Sequence, residues 1–173
     1  MIRIAPPDPD WPARAGAEMT TWRRSMGDRM LEIHHIGSTS VPGLPAKPII
    51  DLLPIFPDPA TLDSARDAVE AMGYDWKGET GIPGRRYCRR SDPETGARLV
   101  HAHGFPEGHP GIAQHLSFRD WLAAHPAARK DYVAVKTRCA AQHPESGLAY
   151  SGCKSAWISD AVERAMAWVE AAT

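Results

Sequence analysis

The chain is predicted to be α+β: a mixed β-sheet of four or more strands covered by helices, with a helical final third. Two features predict it. Short alternating or wholly apolar runs, bounded by glycine and proline, punctuate the first two-thirds of the chain, and the final third carries only helical apolar spacing. The resulting order is helix, two strands, helix, hairpin, three helices, which packs best as one sheet with helices laid on it. With 173 residues, a single domain over 1–173 has enough chain for a core of its own.

Each element has a local reason. Asp10 caps a first helix with Pro12 in its first turn, and Ala15, Met19, Trp22, Met26 and Met30 form one apolar stripe. Leu31–Ile36 alternates as a strand and runs into the small-residue turn Gly37-Ser38-Thr39-Ser40. After a loop, Pro48–Pro54 reads as a second strand, apolar except for Asp51, with Pro54 ending its regular pairing. Asp58-Pro59 starts a helix striped by Leu62, Ala65, Val69 and Met72 and stopped by Gly73. Past the Gly-rich stretch 77–84, Arg85–Arg90 and Arg98–His103 form a hairpin across the turn-forming residues 91–96. Three helical stripes follow: Phe118, Trp121 and Leu122; then Ala128, Tyr132, Val135 and Cys139; then Ile158, Val162, Ala165 and Val169. The tryptophans mostly fall on such stripes and are core by default.

Composition narrows the class. Twenty Lys+Arg against 21 Asp+Glu give a net charge of −1, so bulk charge does not make the chain a nucleic-acid or anionic-membrane binder, although a local basic patch is compatible with it. No apolar run is long enough to span a bilayer, and no signal peptide is visible. The three cysteines (Cys88, Cys139, Cys153) show no CxxC spacing. They fit free thiols used as small core residues in a reducing cytoplasm, which is the expected location.

The stretch His35–Asp51, HIGSTSVPGLPAKPIID, carries the most chemistry. A glycine followed by hydroxyl residues after a strand lets backbone N–H groups approach a phosphate; the plainer reading is a tight turn. Asp51 sits among apolar neighbours, where an unpaired charge is costly, so it should be paired with a cation or bound to metal.

This stretch resembles the GrpB family, including the copy fused to the C-terminus of some dephospho-coenzyme A kinases. The resemblance extends over nearly the whole chain. It is joined by GIPGRRYCRR (Gly81–Arg90), HAH (His101–His103), LSFRDWLAAHP (Leu116–Pro126) and YSGCK (Tyr150–Lys154). It implies a nucleotidyltransferase-like fold in which carboxylates hold Mg²⁺ and the metal bridges the phosphates of ATP or another nucleoside triphosphate. Carried over by position, Gly37, Ser38 and Thr39 would cradle phosphates and Asp51 would be the first metal carboxylate. The second should stand two residues on, on the same strand face, but position 53 is a leucine.

His101 and His103 also share a strand face. If their strand neighbours Asp51, one carboxylate and two imidazoles converge, a set suited to Zn²⁺, Mn²⁺ or Fe²⁺ rather than Mg²⁺. His101 and His103 would then be metal ligands with Asp51, and Asp51 and His103 the catalytic pair. The alternative is that the histidines simply hydrogen-bond to Asp51. His35 is a further participant or supporting donor. Arg86, and after it Arg85, are expected to clamp a triphosphate or a carboxylate substrate. Lys154, four after Tyr150, should meet phosphates; Lys136, four after Tyr132, makes a slighter case. Arg119 and Asp120 are adjacent on a helix and should find separate partners.

Three functions remain open. The first is an enzyme that transfers a nucleotidyl group to a small acceptor, or adenylates and ligates one. The second is a metal-dependent enzyme of another class on Asp51, His101 and His103. The third is a non-catalytic nucleotide- or ligand-binding module. The expected partners are a nucleotide and a small-molecule substrate, with no nucleic acid and no membrane; the sequence leaves the oligomeric state open.

Overall fold

The computed structural model describes residues 1–173. Helix α1 spans Trp11–Met26 with Pro12 in its first turn, and Trp11, Ala15, Trp22 and Met26 are its buried stripe. Gly27, at φ +54°, ends it, so Met30 reaches the same core from beyond the helix rather than as its last turn. Asp58 caps α2 (Pro59–Ser64) by accepting from the Thr61 N–H. The expected single helix breaks at Ala65 into α2 and α3 (Arg66–Ala71), yet Leu62, Ala65 and Val69 stay buried on one line. The final third is helical: α4 (Pro110–Ala124), α5 (Pro126–Gln142) and α6 (Gly147–Ala171). No helix is long and apolar enough to cross a membrane.

The strands are β1 (Glu32–Ile36), β2 (Ile50–Phe56), β3 (Asp75–Gly78), β4 (Arg86–Ser91) and β5 (Arg98–Pro106). They form one mixed sheet in the order β1-β2-β5-β4-β3, parallel only between β2 and β5. The edge strand β3 is not predicted by the sequence: it is four residues long, with Trp76 packed toward the core and a register shift between Trp76 and Gly78, which leaves too little alternation to read. Pro54 does not end β2. It stands opposite Ile33, and pairing toward β5 is interrupted between Leu52 and Ile55, where the missing N–H falls.

The two sheet faces have different tasks. One turns Leu52, Phe56, Val100, Ala102 and Cys88 against α1, α2 and α3 to make the main core. The other is sealed at one end, where Ile36, Leu53, Ile55 and Phe105 meet Ile112 and Leu116 of α4. Its other end carries Asp51, His101 and His103 toward a cleft under α5 and α6.

The cysteine expectation is corrected. Cys139 on α5 and Cys153 on α6 form a disulfide with Cα atoms 5.8 Å apart; Cys88 alone is free, and buried. The spacing gave no hint because the pairing depends on how α5 and α6 pack. Arg119 and Asp120 are also corrected: Arg119 Nε donates to Asp120 Oδ1 at 2.7 Å while Nη1 donates to the His35 carbonyl at 3.2 Å, so a long side chain can fold back on its neighbour.

Closing a loop of this size with a disulfide stabilises by about 3 kcal/mol. Cys153→Ser is therefore expected to lower Tm by roughly 6–12 °C at about 2–4 °C per kcal/mol. Thermal melts with and without reductant check this: reductant should lower the wild-type Tm and leave the variant's unchanged.

Candidate functional site

The site is built on the parallel pair at the centre of the sheet. Asp51 on β2 stands directly beside His101 on β5, and β1 places Ile36 on its other side, so the turn after β1 starts next to the carboxylate. Gly37 opens that turn at φ +72°. A Cβ there would stand 2.6 Å from Asp51 Oδ2 and 3.0 Å from its Cβ, so only glycine lets the chain pass. Ser38–Ser40 then form a short 3₁₀ turn at the cleft mouth.

His101 Nδ1 and His103 Nε2 each lie 3.4 Å from Asp51 Oδ1. Burial alone would raise the Asp51 pKa, but hydrogen bonds from His101 and His103 hold it well below the usual carboxylate range. One ligand atom from each residue lies within 4.8 Å of the others, so the three can face one divalent cation. The donor set is one carboxylate oxygen and two imidazole nitrogens, which suits zinc, manganese or iron and leaves coordination positions open. It does not fit two ions. Leu53, where a second carboxylate would stand, is fully buried among Ile36, Ile55 and Phe105.

Around this group the cleft is basic. Its volume is about 220 Å³, and Lys47, Lys136 and Lys154 line it with Asp51 as their one acidic companion. Lys136 is 2% exposed; it donates to Ser38 Oγ at 3.3 Å and to the Pro45 carbonyl, and its ammonium lies 4.6 Å from the centre of the Tyr132 ring. Tyr150 takes Lys154 at 4.1 Å and Lys47 at 5.0 Å from its ring centroid. Burial, with Lys154 nearby, pushes Lys136 down to about 7. Burial and Lys47 push Lys154 down to about 8 against the pull of Asp51. Three half-desolvated ammonium groups around one carboxylate leave an excess of positive charge facing the Gly37-Ser38 turn.

The predicted residues divide clearly. Asp51, His101 and His103 come together, and Gly37, Ser38, Thr39 and Lys154 line the same cleft. The Thr39 hydroxyl, however, donates to the Ile49 carbonyl at 3.3 Å and lies 2.9 Å from His35 Nε2, so it is engaged inside the turn. His35 stands opposite Leu52 on the far face of the sheet, and burial lowers it to about 4, so it supports Thr39 rather than joining Asp51. Arg86 is the main correction. It too faces the helices of the main core, held by Asp63 with Nη2 to Oδ2 at 3.0 Å. Strand alternation gives the site face to Arg85, which donates to the Thr80 carbonyl at 2.6 Å, covers the Tyr87 ring and reaches within 3.5 Å of His103 Nδ1. Arg90 is likewise held on the far face by Glu18. Lys47, Tyr132 and His115 were missed, and Lys136 was undervalued. Lys136 carried a readable signal: a lysine adjoining the buried stripe of Tyr132, Val135 and Cys139.

The sheet, its strand order and this cleft define an α+β protein with a nucleotidyltransferase-like fold. The Cid1 poly(U) polymerase bound to MgATP superposes with a TM-score of 0.56 over 83% of this chain and 46% of that one, at 12% identity, a likeness of fold alone. The chain belongs to the GrpB family, whose model (GrpB protein) matches residues 1–164. The conserved protein GrpB from Enterococcus faecalis has the same structure at TM-score 0.89, with 33% identity over 96% of this chain and 99% of that one. The UPF0157 protein YqkA of Bacillus subtilis is 43% identical over 82% of this chain and 40% of its own length. A dephospho-CoA kinase of Mycolicibacterium paratuberculosis is 34% identical over 98% of this chain and 47% of its own. The chain thus spans less than half the length of these two relatives.

Two substitutions test the geometry. Gly37→Ala is expected to lose roughly 1–3 kcal/mol for a positive-φ, extended backbone that essentially only glycine adopts, and more as Asp51 is displaced, read by urea unfolding; unchanged stability would show that the turn yields freely. Leu53→Asp buries a charge in the Ile36–Phe105 cluster and is expected to cost about 3 kcal/mol or more, so it should unfold the protein rather than build a second metal site.

Proposed function

We propose that the cleft binds a nucleoside triphosphate and supports nucleotidyl transfer to a small acceptor. The observation that carries this reading is the convergence of Lys47, Lys136 and Lys154 on a glycine–serine turn beside Asp51, His101 and His103. Unpaired, partly buried ammonium groups are costly to an empty protein, and a polyphosphate is the ligand that repays them. Lys136 and Lys154 would hold phosphate oxygens, Ser38 would add a hydroxyl donor, and Gly37 lets the chain come close without a side chain. Asp51, His101 and His103 would hold one divalent cation, which when bound neutralises phosphate charge and polarises the attacked phosphorus. His103 is kept in line by Arg85 behind its Nδ1. Activation of a carboxylate acceptor as an adenylate uses the same attack at phosphorus.

A second reading, a nucleotide-binding module without turnover, is favoured by one observation: Leu53 is packed where the fold would otherwise offer a second carboxylate.

Calorimetric titration separates these readings from other functions. ATP is expected to bind at least tenfold more tightly than AMP, and Lys154→Met to remove about tenfold of that affinity, roughly 1.4 kcal/mol. Equal affinity for ATP and AMP would overturn the assignment of phosphates to the lysines. Pyrophosphate release that is abolished by Asp51→Asn supports transfer; binding without release supports the module.

The lysines also set a pH dependence. Bound phosphate favours their protonated forms, so ATP affinity is expected to fall as pH rises from 7 to 9, through their lowered values of about 7 and 8. The stability of the ligand-free protein should move the other way: both values lie below that of an unfolded lysine, so their destabilising charge is relieved as pH rises. Titrations and urea melts at each pH read the two trends.

A further inference from the structure

A second cavity, of about 340 Å³, adjoins the lysine cleft at Asp51. Gly37, Asp51 and Phe118 border both spaces, so the carboxylate is reached from either. The linings differ sharply. Ile36, Ile82, Phe118, Ile158 and Val162 wall the second cavity, with Gln114 and His115 as its polar side chains and His103 beside Asp51 at the floor. The His115 ring packs against His103 and Phe105. No lysine or arginine lines the space, and Asp51 is its only carboxylate.

Its mouth is apolar and incompletely covered. Ile82 is 38% exposed on the loop before β4, where Thr80, Gly81 and Gly84 all have positive φ. Ile158 and Val162, four apart on α6, are half-buried and face the same space. Phe118 crosses between the two compartments. Aliphatic groups left half in water around a cavity gain from any apolar body that fills it, at about 25 cal/mol per Å² covered.

We propose that this cavity holds the second substrate, a small, mainly apolar alcohol, with its hydroxyl at the Asp51 and His103 end and its body against Ile82, Phe118, Ile158 and Val162. This role rests on the reading of the lysine cleft as the triphosphate site. The acceptor oxygen would bond to the α-phosphorus as the bond to the bridging oxygen breaks; pyrophosphate leaves on the lysine side, and the hydroxyl proton passes to solvent. A nucleic-acid acceptor would find no lysine or arginine lining the cavity to meet its phosphates, since Arg85, behind His103, is engaged by the Thr80 carbonyl. A carboxylate acceptor would bring a second negative charge beside Asp51 into an apolar-walled space, and a polyol would leave most of its hydroxyls against hydrocarbon.

Saturation-transfer NMR on the full chain, with 2-phenylethanol, phenylacetate and myo-inositol as probes, tests the proposal. The alcohol is expected to bind, and the carboxylate and polyol to bind at least tenfold more weakly. Val162→Trp, which fills the cavity, and Ile82→Asp, on an exposed loop where folding is not at stake, should each reduce the alcohol signal at least fivefold. Equal binding of phenylacetate or myo-inositol, an alcohol signal unaltered in both variants, or no binding of the alcohol would overturn the proposal. ATP titration of the same samples keeps the two readings apart. Absence of ATP binding would overturn the triphosphate site and with it the acceptor role, while the probe series would still decide the ligand class of the cavity.

Discussion

The contact between the Gly37 backbone and the Asp51 carboxylate is the constraint from which the site follows. Parallel pairing of β2 with β5 sets His101 beside Asp51 and His103 one step further along the same face. Antiparallel pairing of β1 with β2 sets Ile36 on the other side, so the chain must turn directly against the carboxylate. A side chain at position 37 would stand in the carboxylate's place. The acid is thus confined between a turn that offers backbone and hydroxyl groups and a strand that offers imidazoles, with the buried α4 cluster closing the end of the face.

The basic cleft is the second commitment of the fold. α5 and α6 bring Lys136 and Lys154 over this turn, and the Cys139–Cys153 bridge links the two helices three residues from Lys136 and one from Lys154. Besides the single carboxylate of Asp51, aromatic rings are the neighbours of these lysines: Tyr132 for Lys136, Tyr150 for Lys154 and Lys47. A ring face steadies an ammonium without neutralising it, so the positive potential remains available to an anion. The protein accepts depressed lysine basicity as the cost of keeping that potential.

The arginines show how one strand separates structure from chemistry. Arg86 and Arg90 anchor the sheet to its helices through Asp63 and Glu18, and Arg90 joins a network in which Trp22 Nε1 donates to the Tyr74 hydroxyl and Tyr74 donates to Glu18 at 2.6 Å. Arg85, one residue from Arg86, faces Tyr87 and His103 on the other side of the sheet. Similar side chains therefore have opposite roles according to strand parity.

What the sequence alone determined was local and periodic. The helical stripes, the hairpin, the glycine–serine turn after a strand and the shared face of His101 and His103 were legible because each depends on spacing within one element, and the motif stretches pointed to the family and its fold. Tertiary structure decided everything that depends on which elements are neighbours. It chose Arg85 over Arg86, moved His35 to the far face, joined Cys139 to Cys153 and raised Lys136 from a slight candidate to the centre of the cleft. The physical reason is that periodicity tells which residues share a face but not which face meets helices and which meets solvent. That is fixed only when β2 pairs with β5 and α5 and α6 close over the sheet.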